Sequence, residues 1–402
     1  MLRSLFSGIS GLRSHQTMLD VTGNNIANVN TVGYKSSQVQ FQDTLSQILA
    51  GGTTPVEATG GRNPSQVGLG VQVSGITANF AQGAAQATSK PSDMMINGDG
   101  FFIVNVDGQE MYSRAGSFTF DADGRLVTPT GAIVQGHNAV NGVISLDTPL
   151  VDIKLPVGST VGAVRTSEMK WEGNLPSETA VGGTLSHDLH VHAADGTKIN
   201  LGISMTRTAT GWTASLTPPA PAAAIAGDVP LDFDAAGQLI SPANGLITFD
   251  FPSATEQLVF DMSGVTGYAG LSSLRDVSEN GREAGTLDSY NIGPDGVITG
   301  TYTNGVSEPI SRISLATFTN PTGLQKAGGN LFEVSVSSGA ITYGFPDELG
   351  NGALSGGYLE MSNVDLSAEF TNLIIAQRGF QANARIITTS DEILQELANL
   401  KR

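Results

Sequence analysis

The stretch MLRSLFSGISGLRSHQTMLDVTGNNIANVNTVGYK, residues 1–35, decides the fold because its apolar residues recur every seven positions. A period of seven is the spacing of a coiled-coil seam, in which one stripe of a helix packs against another helix. We therefore predict an N-terminal helix with one apolar stripe. The stripe consists of Leu5, Leu12, Leu19 and Ile26, with Ile9 beside it.

The far end of the chain carries a similar stripe within SNVDLSAEFTNLIIAQRGFQANARIITTSDEILQELANL, residues 362–400. Ser362, followed three residues later by Asp365, resembles a capping box at the start of this helix. If the helix continues to Leu400, it has roughly 37 residues and is on the order of 55 Å long. Its apolar stripe is formed by Leu366, Phe370, Leu373, Phe380, Ile387 and Leu394.

The two stripes predict that the terminal helices pair in a coiled-coil-like domain, and two interpretations of that pairing remain open. The helices either close one domain within the chain or pack against those of neighbouring copies. Gly8, Gly11 and Gly23 each cost about 1 kcal/mol of helix propensity, so the first helix is marginal by itself. This cost favours packing in an assembly, although for any single stripe residue ordinary intrachain packing is an equal alternative.

A short motif at the end of the first helix carries a family resemblance. The motif residues are Asn24, Asn25, Ala27, Asn28, Thr31, Gly33, Tyr34 and Lys35. With this motif the chain resembles the bacterial flagellar axial proteins, the family of rod, hook and hook-associated subunits, and its C-terminal segment is similar to that family's terminal helix. The runs INGDGFF and YSRAGSFTFDADGRLVTPTGAIVQG, in residues 96–136, resemble the same family's rod and hook members.

Composition restricts the possible partners and locations. The net charge is −17, which argues against nucleic acid or an anionic membrane as partner because both attract clustered Lys and Arg. No apolar run approaches the roughly 18 residues that span a bilayer, so no membrane insertion is expected. No cleavable signal peptide is expected either. Composition alone would place the chain in the cytoplasm, whereas the resemblance implies uncleaved export through the flagellar type III apparatus.

The interior of the chain predicts a mixed, mainly β fold of nested β-rich domains. Asp107-Gly108 and Asp123-Gly124 predict hairpins with type I′ turns. FDADGRLVTPTG at 120–131 is echoed loosely at 233–245 and 292–305. We predict an inner helical domain at 1–35 and 360–402, a connector at 36–66, a conserved β domain in two halves at 67–145 and 284–359, and an inserted outer β domain at 146–283.

The candidate chemical sites are weak, so no catalysis and no cofactor are expected. His187, His190 and His192 fall in one predicted strand, where alternation places His190 and His192 on one face without the further ligands of a zinc site. Asp121 and Asp123 start a DxDG pattern that lacks the acidic twelfth ligand of a calcium loop. There is no Cys and no GxSxG motif for a nucleophile.

The resemblance implies a structural subunit of the flagellar hook, a curved hollow tube that acts as a flexible universal joint. The distal rod protein of the basal body is the alternative, and an extracellular β-rich adhesin is a weaker one. The large middle insertion favours the hook, because rod subunits of the family are generally shorter. The implied partners are further copies of the chain, the distal rod protein, the hook cap protein, the hook-filament junction proteins and the export apparatus.

Overall fold

A computed structural model describes residues 2–55, 60–140, 142–156, 158, 160–217, 227–250, 257–348 and 350–399. The fold is mainly β, with one long helix at each end, as the sequence predicts. The chain divides into two compact units, the first formed by Met1–Leu155, Asn291–Thr299 and Glu308–Arg402 and the second by Pro156–Tyr290 and Gly300–Ser307.

The helices are α1 (Leu2–Ala27) and α2 (Leu366–Asn399), and a 3-10 turn spans Pro321–Gly323. The strands up to residue 152 are β1 (Ser37–Asp43), β2 (Ser46–Ala50), β3 (Ser65–Gly68), β4 (Val71–Ala78), β5 (Ala85–Ala87), β6 (Met94–Asn97), β7 (Phe101–Val106), β8 (Gln109–Ser113), β9 (Thr119–Phe120), β10 (Leu126–Val127), β11 (Ile133–Asn138) and β12 (Val151–Asp152).

The strands of the middle of the chain are β13 (Thr160–Val161), β14 (Glu168–Asn174), β15 (Thr184–His192), β16 (Lys198–Arg207), β17 (Gly211–Thr217), β18 (Val229–Phe233), β19 (Leu239–Ser241), β20 (Leu246–Asp250), β21 (Gln257–Thr266), β22 (Arg275–Glu279) and β23 (Gly285–Ile292). The last strands are β24 (Val297–Tyr302), β25 (Ser307–Ile313), β26 (Leu315–Phe318), β27 (Gln325–Gly328), β28 (Leu331–Glu333), β29 (Ile341–Gly344), β30 (Ala353–Gly356) and β31 (Tyr358–Glu360).

The first unit is closed by pairing between early and late strands of the chain. β5 pairs with β31, β6 with β30, β7 with β26, β8 with β28 and β11 with β25. A cluster of aromatic rings lies inside, where Phe101 packs edge to face on both Phe318 and Phe332. Because each of these strands needs its partner from the other half, the two halves fold as one body.

The second unit contains two sheets that share one core. β20, β21, β14 and β22 form one sheet, in which β14 and β21 are parallel, and β15 to β19 form the other in sequential order. Trp171 and Phe260 from the first sheet and Trp212 and Ile203 from the second belong to the same buried cluster. The arrangement is therefore a β-sandwich.

The predicted domain boundaries and the compact units differ in places. Residues 146–155 are predicted to start the insertion, yet β12 pairs with β11 and Ile153 donates its N–H to Val134 in the first unit. The predicted connector at 36–66 contains β1, β2 and the first half of β3. β1 pairs along its length with β4, so the predicted boundary at residue 67 falls inside a ribbon of paired strands.

The turn predictions have different outcomes. Asp107 and Gly108 both have positive φ, 50° and 87°, which confirms the type I′ turn between β7 and β8. The type I′ prediction for Asp123-Gly124 is wrong, because only Gly124 has positive φ. There the Asp121 carboxylate accepts the N–H groups of Asp123 and Arg125, and this local bonding holds the chain in a different loop.

The three sequence echoes share one loop geometry. The N–H of Asp121 donates to the carbonyl of Arg125, and the N–H of Gly124 donates back to Asp121. In the second echo, the N–H of residue 234 donates to the carbonyl of 238 and the N–H of 237 donates back to 234. In the third, the N–H of residue 293 donates to the carbonyl of 297 and the N–H of 296 donates back to 293. A type I turn followed by a left-handed glycine has this pattern, so the echoes are one hairpin loop used three times.

Candidate functional site

The two terminal helices lie antiparallel. Asn25, near the end of α1, donates a buried hydrogen bond of 3.0 Å to Glu369 in the first turn of α2. At the other end of α1, Gly8 faces Ile386 and Ile387, far along α2. The predicted pairing of the terminal helices is therefore present within one chain, and the two helices run in opposite directions.

Small residues form the surface along which the helices meet. A Cβ added at Gly11 would lie 2.8 Å from the Asn383 side chain, and one added at Gly379 would lie 2.5 Å from the His15 ring. Gly8 and Gly11 are buried, whereas Gly23 has nothing within 4 Å of an added Cβ. The propensity cost of two of the three glycines is thus offset by close helix packing.

The predicted apolar stripe of α1 is offset from the face that carries Gly8, Gly11 and His15, which contact α2. At about 100° per residue, the centre of the stripe lies somewhat less than a quarter turn away from that face, and Ile26 falls at the same angle as Gly8. The side chains of this stripe are half-buried: Leu5, Ile9, Leu12, Leu19 and Ile26. The stripe is therefore on the flank of the helix pair, with one side open.

The predicted stripe of α2 divides into two groups. Leu373, Phe380 and Ile387 are half-buried and lie on the side of α2 that carries Glu369, Ala376 and Ser390, which are buried. Leu366, Phe370 and Leu394 are exposed, Phe370 by 51%. Intrachain packing therefore accounts for only part of this stripe.

Further large apolar side chains remain exposed on both helices and on the β2–β3 ribbon. Phe6 of α1 is 64% exposed, and Leu45 beside the ribbon is 82% exposed. The others are Ile48, Leu49, Ile374, Ile375, Ile386 and Ile393. These side chains leave apolar surface in water on both helices and on the ribbon, and where such surface is contiguous it is typical of an interaction site.

The motif residues at the end of α1 form a hydrogen-bond network inside the chain. Asn25 is its centre: the amide nitrogen donates to the Ser37 carbonyl and to Glu369, and its oxygen accepts from the Ser37 N–H and the Tyr34 hydroxyl. Asn24 donates to the same hydroxyl at 3.3 Å. All the hydrogen-bonding capacity of the buried Asn25 side chain is used, which holds α1, the turn after it and α2 together.

The turn after α1 is closed by two further motif residues. Asn28 donates back to the carbonyl of Asn24, and Thr31 donates to the side chain of Asn28. Gly33 has a φ of +68°, and a Cβ there would lie 2.6 Å from the backbone of Ala115. Only glycine fits this position, whereas Ala27 is simply the exposed last residue of α1.

Lys35, the last motif residue, forms a fully buried ion pair with Glu360 at 2.6 Å. The Lys35 ammonium also donates to the Ala81 carbonyl, and Glu360 accepts the N–H of Gly83. Arg114 lies 3.9 Å from the second oxygen of Glu360. Burial lowers the pKa of Lys35, while the hydrogen bond to Glu360 acts in the opposite direction.

Several partners in this junction escaped the sequence analysis. Asn363 accepts the N–H of Ser36 and donates to the carbonyls of Asn79 and Ala81. The start of α2 is also corrected: Asp365 caps the helix by accepting the N–H groups of residues 367 and 368, and Ser362 takes no part. Only the density of Asn and Glu around 360–369 could have signalled these contacts.

The three histidines of β15 do not converge. His190 is exposed and bonds Asn200, whereas His187 alternates to the other face, where its ring meets Trp171 edge to face. Within the described ranges, no group of three or more His, Cys, Asp or Glu side chains is arranged to hold a metal ion. In those same ranges, no helix is both long enough and apolar enough to cross a bilayer.

Three family models match the chain. "Flagella basal body rod protein" matches residues 5–35, "Flagellar hook protein FlgE/F/G D1 domain" matches 95–167, and "Flagellar basal body rod FlgEFG protein C-terminal" matches 355–400. The first and third matches include the motif and the two predicted stripes.

Similar proteins extend over the full chain. The flagellar hook protein FlgE of Borreliella burgdorferi is 38% identical over 450 residues, and that of Treponema pallidum is 35% identical over 464, each covering 100% of both chains. The basal-body rod protein FlgG of Bacillus subtilis is 33% identical over 403 residues, also with 100% coverage of both.

Among solved structures, the Helicobacter pylori hook protein FlgE2 has a similar fold, with a TM-score of 0.53 and 18% identity, covering 69% of this chain and 100% of that one. Three observations point to the same family: the terminal helices pair, the motif residues bond them together, and the sequence similarity covers the full chain. The chain belongs to the family of flagellar hook and basal-body rod proteins.

Proposed function

We propose that this chain is the structural subunit of the bacterial flagellar hook, and that many copies polymerise into a curved hollow tube. The tube acts as a flexible universal joint that transmits torque from the rod to the filament. The observation that supports self-assembly is the apolar surface left on the paired terminal helices, because their intrachain contact leaves large side chains such as Phe6, Phe370 and Ile374 exposed. Covering such surface stabilises an assembly by roughly 25 cal/mol per Å².

We assign the packing between copies to the predicted stripes, including those residues that are half-buried in one chain. On each of these residues the open side is available to a neighbour: Leu5, Ile9, Leu12, Leu19, Ile26, Leu366, Phe370, Leu373, Phe380, Ile387 and Leu394. The motif residues at 24–35 have a different role, which is to fix α1 on the body of its own subunit. Torque applied to the helices is thereby passed to the β domain of the same copy.

The finer partners and the location belong to this proposal. Besides further copies, the subunit contacts the distal rod protein at one end of the hook, and the junction proteins and hook cap protein at the other. It reaches the outside of the cell through the type III export apparatus without loss of a signal peptide. It acts on no substrate and takes no cofactor.

Substitution of one exposed helix residue tests the assembly surface. Phe370→Asp places a charge on the apolar surface of α2 and should abolish polymerisation of purified protein while leaving the circular dichroism spectrum of the monomer unchanged. Gln381→Asp is the matched control, since it adds the same charge at an exposed polar position of the same helix. Normal polymerisation by Phe370→Asp would contradict the assignment, as would loss of polymerisation in both variants.

Immunogold electron microscopy of flagellar basal bodies separates the hook from the distal rod, using antibody raised against residues 156–290. Label on the curved external segment is expected for a hook subunit. Label confined to the straight shaft would make the chain a rod protein. Absence of label from the flagellum would refute both assignments.

A further inference from the structure

A small cavity lies beside the motif, where the end of α1 meets the turn between β27 and β28. Its volume is about 160 Å³. We call it the Lys326 pocket; the polar side chains that line it are Asn24, Asn28, Tyr34, Lys35, Lys326 and Asn330. Gly328, Gly329 and Phe332 contribute to the rest of the wall.

Lys326 brings a positive charge to this pocket without a carboxylate to balance it. Its ammonium donates to the Lys35 carbonyl at 3.3 Å and to the Ser37 hydroxyl at 3.0 Å, and it lies 4.9 Å from the centre of the Tyr34 ring. In the part of the chain that the structure describes, no carboxylate oxygen lies within 4.0 Å of this ammonium. Although the residue as a whole is exposed, partial burial of its ammonium end lowers the pKa of Lys326.

The neighbouring cations cannot share their counter-ion with Lys326. Glu360 already accepts from Lys35 and lies close to Arg114, so one carboxylate serves two cations. Glu369 accepts from Asn25 on the other side of Tyr34. The surroundings of the pocket are therefore locally basic in a chain whose net charge is −17.

The pocket is also reachable from outside, because Lys326 is exposed, as are Gly328 and Gly329 beside it. A lysine ammonium has three hydrogens to donate, and two of them are used within the chain. The third can form a charge-assisted hydrogen bond, which is roughly twice as strong as a neutral one when water is excluded. Carboxylate is the anion that a protein surface with 37 acidic residues offers in excess.

We propose that the Lys326 pocket binds a carboxylate side chain from a second copy of this chain. The identity of the partner rests on the proposed function, since polymerisation is what brings a second acidic copy to this surface. The contact would bury the ammonium and pair it at the same time. It would also place an intersubunit bond next to the Asn25 and Lys35 side chains. A neighbouring copy would then bind directly where α1 joins the β domain.

Carbodiimide crosslinking tests this contact in the assembled full-length protein. The carbodiimide adds to a carboxylate to give an O-acylisourea, and the lysine amine then displaces the substituted urea to form an amide, so the crosslinked pair is lighter by the elements of one water. Peptides that join Lys326 to an Asp or Glu residue are expected in digests of polymer and not of monomer. Lys326→Arg keeps the charge without the amine, so it should polymerise and yield no such peptide. The same peptide in digests of monomer would overturn the proposal, because the carboxylate would then be intrachain.

A second variant measures what the charge contributes. Lys326→Met should need at least about tenfold more subunit for polymerisation than wild type, which corresponds to the loss of one interfacial charge pair. Polymerisation at the wild-type concentration would refute the proposal. If wild type itself fails to polymerise, the proposed function has failed, and the pocket is then judged on the monomer alone.

That monomer arm uses acetate as the probe carboxylate. Acetate should raise the unfolding midpoint of wild type more than that of Lys326→Met, because a ligand stabilises only the state that binds it. Chloride at equal ionic strength is the control for screening. An equal response of both proteins to acetate would overturn the carboxylate site whether or not polymer forms.

Discussion

Glu360→Gln is the sharpest test of the buried ion pair between Lys35 and Glu360, because it removes one charge and almost no volume. In the wild type, Glu360 is fully buried, pairs with Lys35 at 2.6 Å and accepts the N–H of Gly83 at 2.9 Å. Glutamine keeps the shape and an oxygen for Gly83. It leaves the buried Lys35 and Arg114 with two positive charges and no anion between them.

The expected cost follows from this uncompensated charge. Removing one partner of a buried ion pair destabilises a protein by about 3–5 kcal/mol, most of it the penalty of the charge left behind. For a unit of this size, that corresponds to a fall in the unfolding midpoint of roughly 6–20 °C. Replacing both partners, as in Lys35→Met with Glu360→Leu, should restore much of the lost stability, since no charge then remains unpaired.

The chain allows the two units to be followed separately in one experiment. Both long helices belong to the first unit, so the helical signal in far-UV circular dichroism reports on it. Both tryptophans, Trp171 and Trp212, are buried in the second unit and report on that one by fluorescence. Glu360→Gln should lower the first transition and leave the second within about 0.5 kcal/mol of wild type.

Two results would refute this reasoning. A loss below about 1 kcal/mol in the helical transition would mean that the pair is effectively solvated, with the value of a surface salt bridge. An equal fall in both transitions would mean that the two units unfold together, and the effect could not then be assigned to the junction.

Three further predictions use the backbone and one buried tyrosine. Gly33→Ala should cost more than about 3 kcal/mol, because its φ is positive and its Cβ would meet backbone, whereas Gly108→Ala, with positive φ in open space, should cost about 1 kcal/mol in urea unfolding. Gly379→Ala should destabilise the helix pair through a clash with the histidine ring of α1, while Gly23→Ala, with no neighbour, should stabilise it by up to about 1 kcal/mol. Burial and hydrogen bonds to Tyr343 and Glu110 raise the pKa of Tyr112, so the folded state keeps a proton that the unfolded chain loses. The free energy of unfolding should therefore fall as the pH rises above the ordinary tyrosine pKa of 10.0. The absorbance of the Tyr112 tyrosinate should appear only when the protein unfolds.

The apolar period located both helices, but it did not identify the surface that joins them. α2 begins at Leu366, within its predicted segment, and α1 covers Leu2–Ala27. The seam includes Gly8, Gly11 and Gly379, which pack against Ile386, Ile387, Asn383 and His15. Glycines carry no hydropathy signal, and in a sequence they count only as weak helix formers. A pattern of small residues three apart on one helix, as at Gly8 and Gly11, was the signal available for this face.

The candidate site was predictable on one side only. Lys35 was recognised within a motif, yet its partner Glu360 lies 325 residues further along the chain. Nothing in the neighbourhood of Glu360 distinguishes it from the other acidic residues of this acidic chain. The exposed positions of Leu366 and Phe370 were equally hidden, because a stripe of apolar residues looks the same whether its own chain covers it or a neighbour does.

By itself, the sequence determined the features that act over a few residues: the presence of the two terminal helices, the type I′ turn at Asp107-Gly108, the reuse of one hairpin segment at three places, although not its turn type at Asp123-Gly124, and the acidity of the chain. Tertiary structure alone decided which face of α1 meets α2, that Asn25 bonds Glu369 and that Lys35 pairs with Glu360. The physical reason is the distance along the chain over which each interaction acts. Backbone dihedrals and periodicity are local properties, whereas a buried ion pair between distant residues exists only once the β strands between them have brought the two ends of the chain together.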